Sequence, residues 1–443
     1  MSSGFNITIP DSWSWSPLKY ISTFLNRGTA PDYVENGPVR VISQAANQAT
    51  GLDWERTRFH NYSGDPRKIK GYLLPRDVLI NSTGTGTLGR VGYFTAGPDN
   101  RPCIADGHVT VTRADPQITD PRYMYYWFIS TPFQDYVYSV LISGATNQIE
   151  LNRERLSGSP IPLPPLAEQR RIADFLDAET ARIDYLKAIQ EAAKRALLER
   201  RAAGLFSAVT GSEIRERIPS TLAWVETLPS TWEAVKLGHV ARMGSGHTPS
   251  RNKPEWWMDC TIPWVTTGEV SQMRSDRLEV LTETREKISE TGLLNSSAEI
   301  HPSGTVVLCR TAASAGYSAV MGRDMATSQD LATWTCGPKL DPFFLLWCLR
   351  AMRTDLLNRL AMGSTHKTIY MPDLQGLRIP LPDIREQRNI VEVIRSSNLA
   401  IDSAADAIDR QLALLAERRQ TLITSAVTGQ FDITTATPSG GIA

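Results

Sequence analysis

The sequence predicts an α+β chain in which two mixed α/β domains alternate with two long helices, arranged as a pseudo-two-fold internal repeat. Three observations predict it. Residues 161–211 and 379–429 align without a gap at an offset of 218, with 19 of 51 positions identical and the identities gathered in IPLP, EQR, L-x-ERR and SAVTG. Within the second of these segments Ile394, Ile401, Ile408, Leu415 and Leu422 recur every seven residues, the spacing of a coiled-coil seam. The remaining stretches carry short β-branched runs bounded by Gly, Asn, Ser and Thr, and each closes on an Asp-Pro step followed by an apolar helix. Six segments follow: a first domain at 1–160, a first helical region at 161–211, a linker at 212–228, a second domain at 229–378, a second helical region at 379–429 and a tail at 430–443.

Each element has a local reason. In the first domain Val39–Ile42 and residues 78–80 and 91–94 read as strands, and residues 305–308 do so in the second. Asp120 and Asp341 suit N-caps with proline at the first helical position, and Tyr123, Tyr126, Trp127 and Val137 share one apolar face. Polar turns at 144–148 and 363–367 then lead back to IPLP. The first long helix carries the row Leu176, Ile183, Gln190, Leu197 and Gly204, widened by Ile172, Phe175, Leu186 and Ala193. Asp383 and Glu386 have the spacing of a reciprocal N-cap, while Gly211 and Gly429 mark helix ends. The repeat extends upstream, since Pro10-x-x-Trp13 matches Pro229-x-x-Trp232.

A helix of about 40 residues is about 60 Å long and needs a partner for its apolar stripe. Burying an aliphatic side chain stabilises by roughly 1.5–3 kcal/mol, so five seam positions supply on the order of 10 kcal/mol at most. Exposed ion pairs contribute about 0–1 kcal/mol each and do not compete. The other copy is the natural partner. The alternative is that each stripe packs on its own domain.

Composition narrows the function classes. With 47 Lys plus Arg against 47 Asp plus Glu, the chain has no net field to hold a polyanion or an anionic membrane. Charged residues sum to about +1 for 1–160, +1 for 161–218, 0 for 219–378 and −2 for the remainder, so any nucleic-acid contact is local or shared with a partner. Five widely spaced Cys with no C-x-x-C pair point to free thiols in a reducing compartment, and the longest apolar run, 343–349, stops at Arg350. A soluble cytoplasmic protein is expected.

Several catalytic patterns fail. Gly84, Gly86 and Gly89 fit G-x-G-x-x-G, but Arg-Val-Gly-Tyr-Phe follows where a helix would begin, and Arg90-Val91 stands where a phosphate loop needs Lys-Ser/Thr. Leu163-Pro-Pro-Leu166 lacks the polar residue and aromatic ring that hold a flipped base. No acidic residue precedes a Lys by two positions, and the six His are isolated, so neither a metal nuclease nor a metal site has a candidate.

Both copies of IPLP…EQR, both SAVTG ends, INSTGTGTLGRVG in the first domain, and GSGHTPSR with IPWVTTGEV in the second carry a resemblance over nearly the whole chain: it resembles the specificity subunit of type I restriction-modification systems. The resemblance implies two target recognition domains separated by two long antiparallel helices in a coiled coil, each domain reading one half of a bipartite asymmetric DNA target. It implies a non-catalytic DNA-recognition subunit, with two modification subunits using S-adenosylmethionine and restriction subunits using ATP and Mg; no cofactor is expected in this chain. Antiparallel pairing would place Leu176 nearer Leu415 than Ile394, with Leu186 and Leu197 also on the seam. Readers on one face of the duplex favour a separation near one helical turn, about 34–36 Å.

Polar side chains on loops between strands are the expected probes, because base edges require directed donors and acceptors. In the first domain these are Asn81, Ser82, Thr83, Thr85, Arg90, Asn147 and Gln148; in the second they are Arg251, Arg310, Thr311, Tyr317, His366, Lys367 and Tyr370. Arg251 and Lys367 suit phosphate, and Arg310 suits two acceptors of guanine. Two readings compete at several positions: residues 81–86 as probes or as a plain Gly/Thr turn, and Tyr317 and Tyr370 as probes or as packed rings. Glu168, Gln169, Arg170, Glu386, Gln387 and Arg388 read either as a docking surface for partner subunits or as an internal capping network. A structural adaptor that binds proteins through its coiled coil is the rival function.

Overall fold

The computed structural model describes residues 5, 7–143, 149–362 and 368–431, so Asn147, Gln148, His366 and Lys367 lie outside the described residues. Two compact units form, Met1–Gln190 with Asp409–Ala443 and Glu191–Ile408, and the division passes through both long helices.

In the first unit an antiparallel sheet has the order Ser22–Arg27, Val109–Ala114, Val78–Asn81, Val91–Tyr93. Its strand Val78–Asn81 is buried at every position. Alternation explains this: Val78 and Ile80 enter the cluster of Tyr123, Trp127 and Phe128, while Leu79 enters that of Ile42, Ala105, Val109 and Val111. A second sheet, of order Cys103–Ala105, Val39–Ile42, Arg58–His60, Tyr33–Val34, contributes to that other side. Cys103–Ala105 and Val39–Ile42 run parallel.

The second unit repeats the topology. Ala241–Ser245, Leu331–Cys336, Val306–Cys309 and Ser318–Met321 form the same antiparallel order, extended by Val280–Leu281. Met325–Thr327 and Ile262–Val265 form the parallel pair of the other sheet. The expected strands at 78–80, 91–94 and 305–308 are all present within one residue at each end.

Four helices organise the units: α1 (Pro121–Ile129), α2 (Leu166–Thr210), α3 (Pro342–Ala351) and α4 (Ile384–Val427). The carboxylates of Asp120 and Asp341 accept the first free N–H groups of α1 and α3, as expected. Asp383 likewise accepts from Arg385 and Glu386 at 2.8 and 2.9 Å. The IPLP blocks belong to the domains, because Pro160–Leu163 pairs with Ser14–Pro17 and Arg378–Leu381 with Glu233–Lys236. The linker is partly ordered as Arg217–Pro219 against Thr227–Pro229.

In each unit half of α2 lies antiparallel to half of α4. Phe175 stacks on Phe431 at 5.6 Å and Asp184 meets Arg419 at 3.5 Å in the first unit, and Arg201 meets Asp402 at 3.6 Å in the second. Burial is concentrated at the helix ends. Ile172 and Leu176 share a core with Ile423, Ala426, Val427 and the first domain, and Val209 shares one with Val391, Ile394 and the second. Ile183, Ile394 and Ile401 are buried on the seam as expected, but Leu186, Leu197, Ile408, Leu415 and Leu422 are only half-buried. Leu176 therefore packs at the Val427 end of α4, past Leu415. The reason is that the domains claim the helix ends, turning Ile423 inward in place of Leu422. The two packing alternatives are both realised: each helix end meets its helix partner and a domain together.

The ends themselves are exchanged between copies. Gly429 (φ +72°) sits against Pro10 and the Trp13 indole in the first unit, and Gly211 (φ +59°) against Pro229 and Trp232 in the second. Both helices close with the N–H of the residue after the terminal glycine bonded back across the last turn, Gln430 to Ser425 at 2.9 Å and Ser212 to Ser207 at 3.0 Å. Tyr123 adds a buried hydroxyl bond to the Val427 carbonyl at 3.2 Å. The first copy's domain is thus completed by the second copy's SAVTG.

Gln169 and Gln387 are fully buried, which removes them from any docking surface. The Gln169 amide oxygen accepts the Asp120 N–H at 2.9 Å, and its nitrogen donates to the Ile118 and Pro164 carbonyls at 3.0 and 2.9 Å. Gln387 does the same with Asp341, Lys339 and Pro382. Glu168 accepts from the Trp13 indole at 3.2 Å, and Arg388 lies 3.7 Å from Asp341. Arg170 is exposed, and Glu386 is half-buried.

Asp276 anchors the second domain. Its carboxylate takes both terminal nitrogens of Arg353 at 2.6 and 2.8 Å, and the neighbouring Arg277 reaches Asp406 on α4 at 2.8 Å. Buried Arg350 donates to the carbonyls of Asp276, Leu278 and Ser318, and burial pushes its guanidinium down to about 10.

Gln169→Ala is expected to lower unfolding free energy by about 2–3 kcal/mol, because three main-chain groups, two of them in buried bonds, lose their partner; a pure docking residue would leave a denaturant melt unchanged. Gly429→Val is expected to cost about 2–4 kcal/mol from left-handed backbone strain and overpacking on Pro10 and Trp13. A midpoint equal to wild type would contradict the packing of that end.

Candidate nucleic-acid interface

The parallel strands of the first unit end at Ile42 and Ala105, and the chain beyond each turns toward the loop at 82–90. That loop is a built object. Asn81 and Ser82 are buried: the Asn81 amide bonds Asn47 and the Gln44 carbonyl, and the Ser82 hydroxyl lies 2.6 Å from that of Thr110. They support the loop and present nothing outward, which corrects their expected role as probes. Gly84, Gly86 and Gly89 all have positive φ, so each meets a backbone requirement of the turn.

The Thr83 hydroxyl donates to Gln44 Oε1 at 2.9 Å and lies 2.8 Å from His108 Nδ1. Arg90 donates to Gln48 Oε1 at 2.8 Å and to the Gly86 carbonyl at 2.9 Å, clasping the loop, while Thr85 is exposed at its tip. Gln44, Gln48 and His108 were not legible as members of this site, since strand pairing alone brings them to residues dozens of positions away. Beneath them Asp106 accepts from the His108 N–H and the Tyr33 hydroxyl at 2.8 and 3.0 Å, and burial pushes its carboxyl up.

The second unit builds the same frame from other residues. Asn81 N–H to Arg90 carbonyl (2.8 Å) corresponds to Cys309 to Tyr317 (2.8 Å), and Gly89 to Asn81 (2.9 Å) to Gly316 to Cys309 (2.8 Å). Ser82 to His108 (2.8 Å) corresponds to Arg310 to Asp330 (2.9 Å), and Leu151 to Ser82 (2.8 Å) to Ile369 to Arg310 (2.8 Å). Main-chain equivalence thus makes Ser82 the counterpart of Arg310, Thr83 that of Thr311 and Arg90 that of Tyr317. The side chains differ while the frame holds.

Arg310 donates to the Gln329 carbonyl at 2.7 and 3.0 Å and to that of Ile369 at 3.4 Å. A guanidinium has five N–H groups, so two remain to offer a planar fork. Gln329 in turn accepts from Thr248 at 2.6 Å, which brings the GSGHTPSR segment to the same place. Thr311 bridges to Thr368, and Tyr370 is exposed at the start of the turn Met371–Gln375. Tyr317 is half-buried beneath Arg353, 4.5 Å from its ring centre, so the packed-ring reading holds there. Arg251 stacks 3.9 Å over Trp257 and pairs with Glu286 at 2.6 Å, leaving its charge already matched.

Burial pushes the thiols of Cys103 and Cys309 up to about 11 and that of Cys336 to about 12, which removes thiolate character near neutral pH. Among the described residues no His, Cys, Asp and Glu cluster has metal-binding geometry, and no helix is long and apolar enough to cross a membrane.

A family model described as the type I restriction modification DNA specificity domain matches residues 10–195 and again residues 229–406. The chain is 22% identical over 414 residues to the specificity subunit of type I restriction enzyme EcoBI from Escherichia coli, covering 88% of this chain and 85% of that one. It is 24% identical over 313 residues to the EcoR124I/EcoR124II specificity subunit from the same organism, covering 69% and 70%. Among solved structures it is similar to a chain of a type I R-M system described for complex assembly and conformational transition, with TM-score 0.73 and 19% identity over 96% of this chain and all of that one. The HsdS subunit from Thermoanaerobacter tengcongensis matches with TM-score 0.56 and 20% identity, over 97% of this chain and 100% of that one. These structural likenesses speak for the fold. Matched in both of its repeats, the chain belongs to the family of type I restriction-modification DNA specificity domains.

Proposed function

We propose that this chain is the DNA-reading subunit of a type I restriction-modification assembly, with each unit reading one half of a bipartite, asymmetric target. The doubled frame carries the reading. One set of main-chain hydrogen bonds presents Thr83, Thr85, Arg90 and His108 in the first unit and Arg310, Thr311, Asp330 and Tyr370 in the second. A shared frame with unlike donors and acceptors fits two unlike half-sites, because sequence is read by directed bonds to base edges.

The chain itself performs no bond-breaking step in this reading. Two modification subunits supply S-adenosylmethionine chemistry, and restriction subunits supply ATP- and Mg-dependent chemistry. Exposed Arg170 and Arg388, with half-buried Glu168 and Glu386, are the remaining members of the proposed docking surface at the helix starts. The near-zero charge of each domain supports dependence on those partners, since counterion release by this chain alone is small. The long helices set the gap between half-sites. A coiled-coil adaptor would instead show no sequence-selective retention of DNA when the partner subunits are present.

In the assembled complex, Arg310→Ala is expected to lose about 1–3 kcal/mol of discrimination at one base of one half-site, with the other half-site read as before. Unchanged preference in competition binding would remove Arg310 from the readers. Inserting seven residues into either long helix is expected to change or abolish the accepted gap in a library of spacings, and an unaltered gap would contradict the helices' role in setting it.

A further inference from the structure

The two readers are built on one frame but are not rimmed alike. In the first unit Arg58 lies opposite Val41, and Tyr72 bridges to Ile104, so the two residues flank the parallel pair of the mixed sheet on its two sides. The Ala105 N–H is accepted by the Gly71 carbonyl at 2.8 Å, which sets Lys70 just past the end of that strand, on the side of Asp106 and His108. Arg67 and Lys68 precede it, and all three are exposed, as is Arg58 on the strand that flanks the other side of the parallel pair. Arg58 stacks 4.0 Å over the Tyr33 ring, whose hydroxyl is tied to Asp106 at 3.0 Å, so its position is fixed. The side chains of Arg67, Lys68 and Lys70 make no ion pair among the described residues, and Asp65 is occupied in accepting the Arg67 N–H at 3.1 Å.

The second unit supplies a control within the same chain. Trp264 lies opposite Glu286 where Val41 lies opposite Arg58, so the cation of one reader is a carboxylate in the other. Ile300 pairs with Ala326 where Tyr72 pairs with Ile104. Stepping back two, four and five residues from Ile300 gives Ala298, Ser296 and Asn295 where stepping back from Tyr72 gives Lys70, Lys68 and Arg67. Four positive positions thus correspond to one carboxylate, already paired with Arg251, and three neutral ones.

We propose that Arg58, Arg67, Lys68 and Lys70 form a phosphate-binding rim around the first reader, which the second reader lacks, so that the DNA backbone is gripped chiefly at the first unit's half-site. This rests on the DNA reading proposed above. Unpaired, exposed cations flanking a loop of directed donors match a duplex, in which base edges lie in a groove walled by phosphates. The second unit, lacking such a rim, relies on base contacts and on backbone contacts made by partner subunits.

The test measures affinity of the complex assembled with modification subunits for a cognate duplex and a scrambled one between 50 and 200 mM salt. The triple substitution Arg67→Ala, Lys68→Ala and Lys70→Ala is expected to reduce the slope of log affinity against log salt by about 2.7, at about 0.9 per phosphate contact, for both duplexes alike. Over that fourfold salt range the variant should lose affinity about 40-fold less than wild type does, while its preference for cognate over scrambled DNA is retained. Lys287→Ala, at an exposed position of the second unit, should leave the slope unchanged. A triple variant with wild-type slope overturns the rim. A wild-type complex with no preference for the cognate duplex overturns the DNA reading instead, and the slope still decides whether the rim binds phosphate.

Discussion

The structure depends on one constraint: a helix of about 60 Å cannot keep its apolar face in water, and each end of each helix finds cover in a domain core. Ile172 and Leu176 at the start of α2 meet Ile423 and Val427 at the end of α4 beneath Tyr123 and Trp127. Val209 at the end of α2 meets Val391 and Ile394 at the start of α4 against Trp347. Each domain therefore closes over helix ends drawn from both copies. Neither copy is self-sufficient, and the left-handed glycines Gly211 and Gly429 are fixed by the close approach of Pro229 and Pro10.

That arrangement frees the opposite parts of the domains for recognition. The sheets are pinned by α1 and α3, whose Asp caps are locked to α2 and α4 through Gln169 and Gln387, and the loops are tied in turn to the segments after those helices, where Gln134 and Tyr138 donate to the Gly89 and Leu88 carbonyls and Arg353 to that of Gly316. A hairpin held by main-chain hydrogen bonds can exchange its side chains without loss of shape. Ser82 and Arg310, Arg90 and Tyr317, or Arg58 and Glu286 occupy matching places in the two units with unrelated chemistry. Unlike readers on one scaffold are what an asymmetric target requires.

Much of this was legible in the sequence, because the signals were local. Heptad spacing, Asp-Pro caps and terminal glycines gave the long and short helices, and β-branched runs marked Val39–Ile42 and the strand at Val78–Asn81. Long-range packing was not legible. Heptad counting favoured Leu422, whereas the first domain buries its neighbour Ile423. The sequence leaves Gln169 between a docking surface and an internal capping network because its three main-chain partners lie on segments far away in sequence or hidden in the turn before α2. The shared topology of the sheets was hidden as well, since the offset between copies grows from 218 across the helices to 228 between Asn81 and Cys309. At the site the polar composition of residues 81–90 pointed to the right loop but not to the residues it presents. Asn81 and Ser82 are spent on support, and Gln44, Gln48 and His108 arrive by strand pairing.

The central claim, that two unlike readers on one frame select a single bipartite target, is tested most directly by mapping methylated adenines genome-wide in cells that carry this chain with its modification subunits and in cells that lack it. The account predicts that one motif loses methylation, composed of two different short halves at a constant gap. A motif that is continuous or has two identical halves, or an unchanged methylation map, would contradict it.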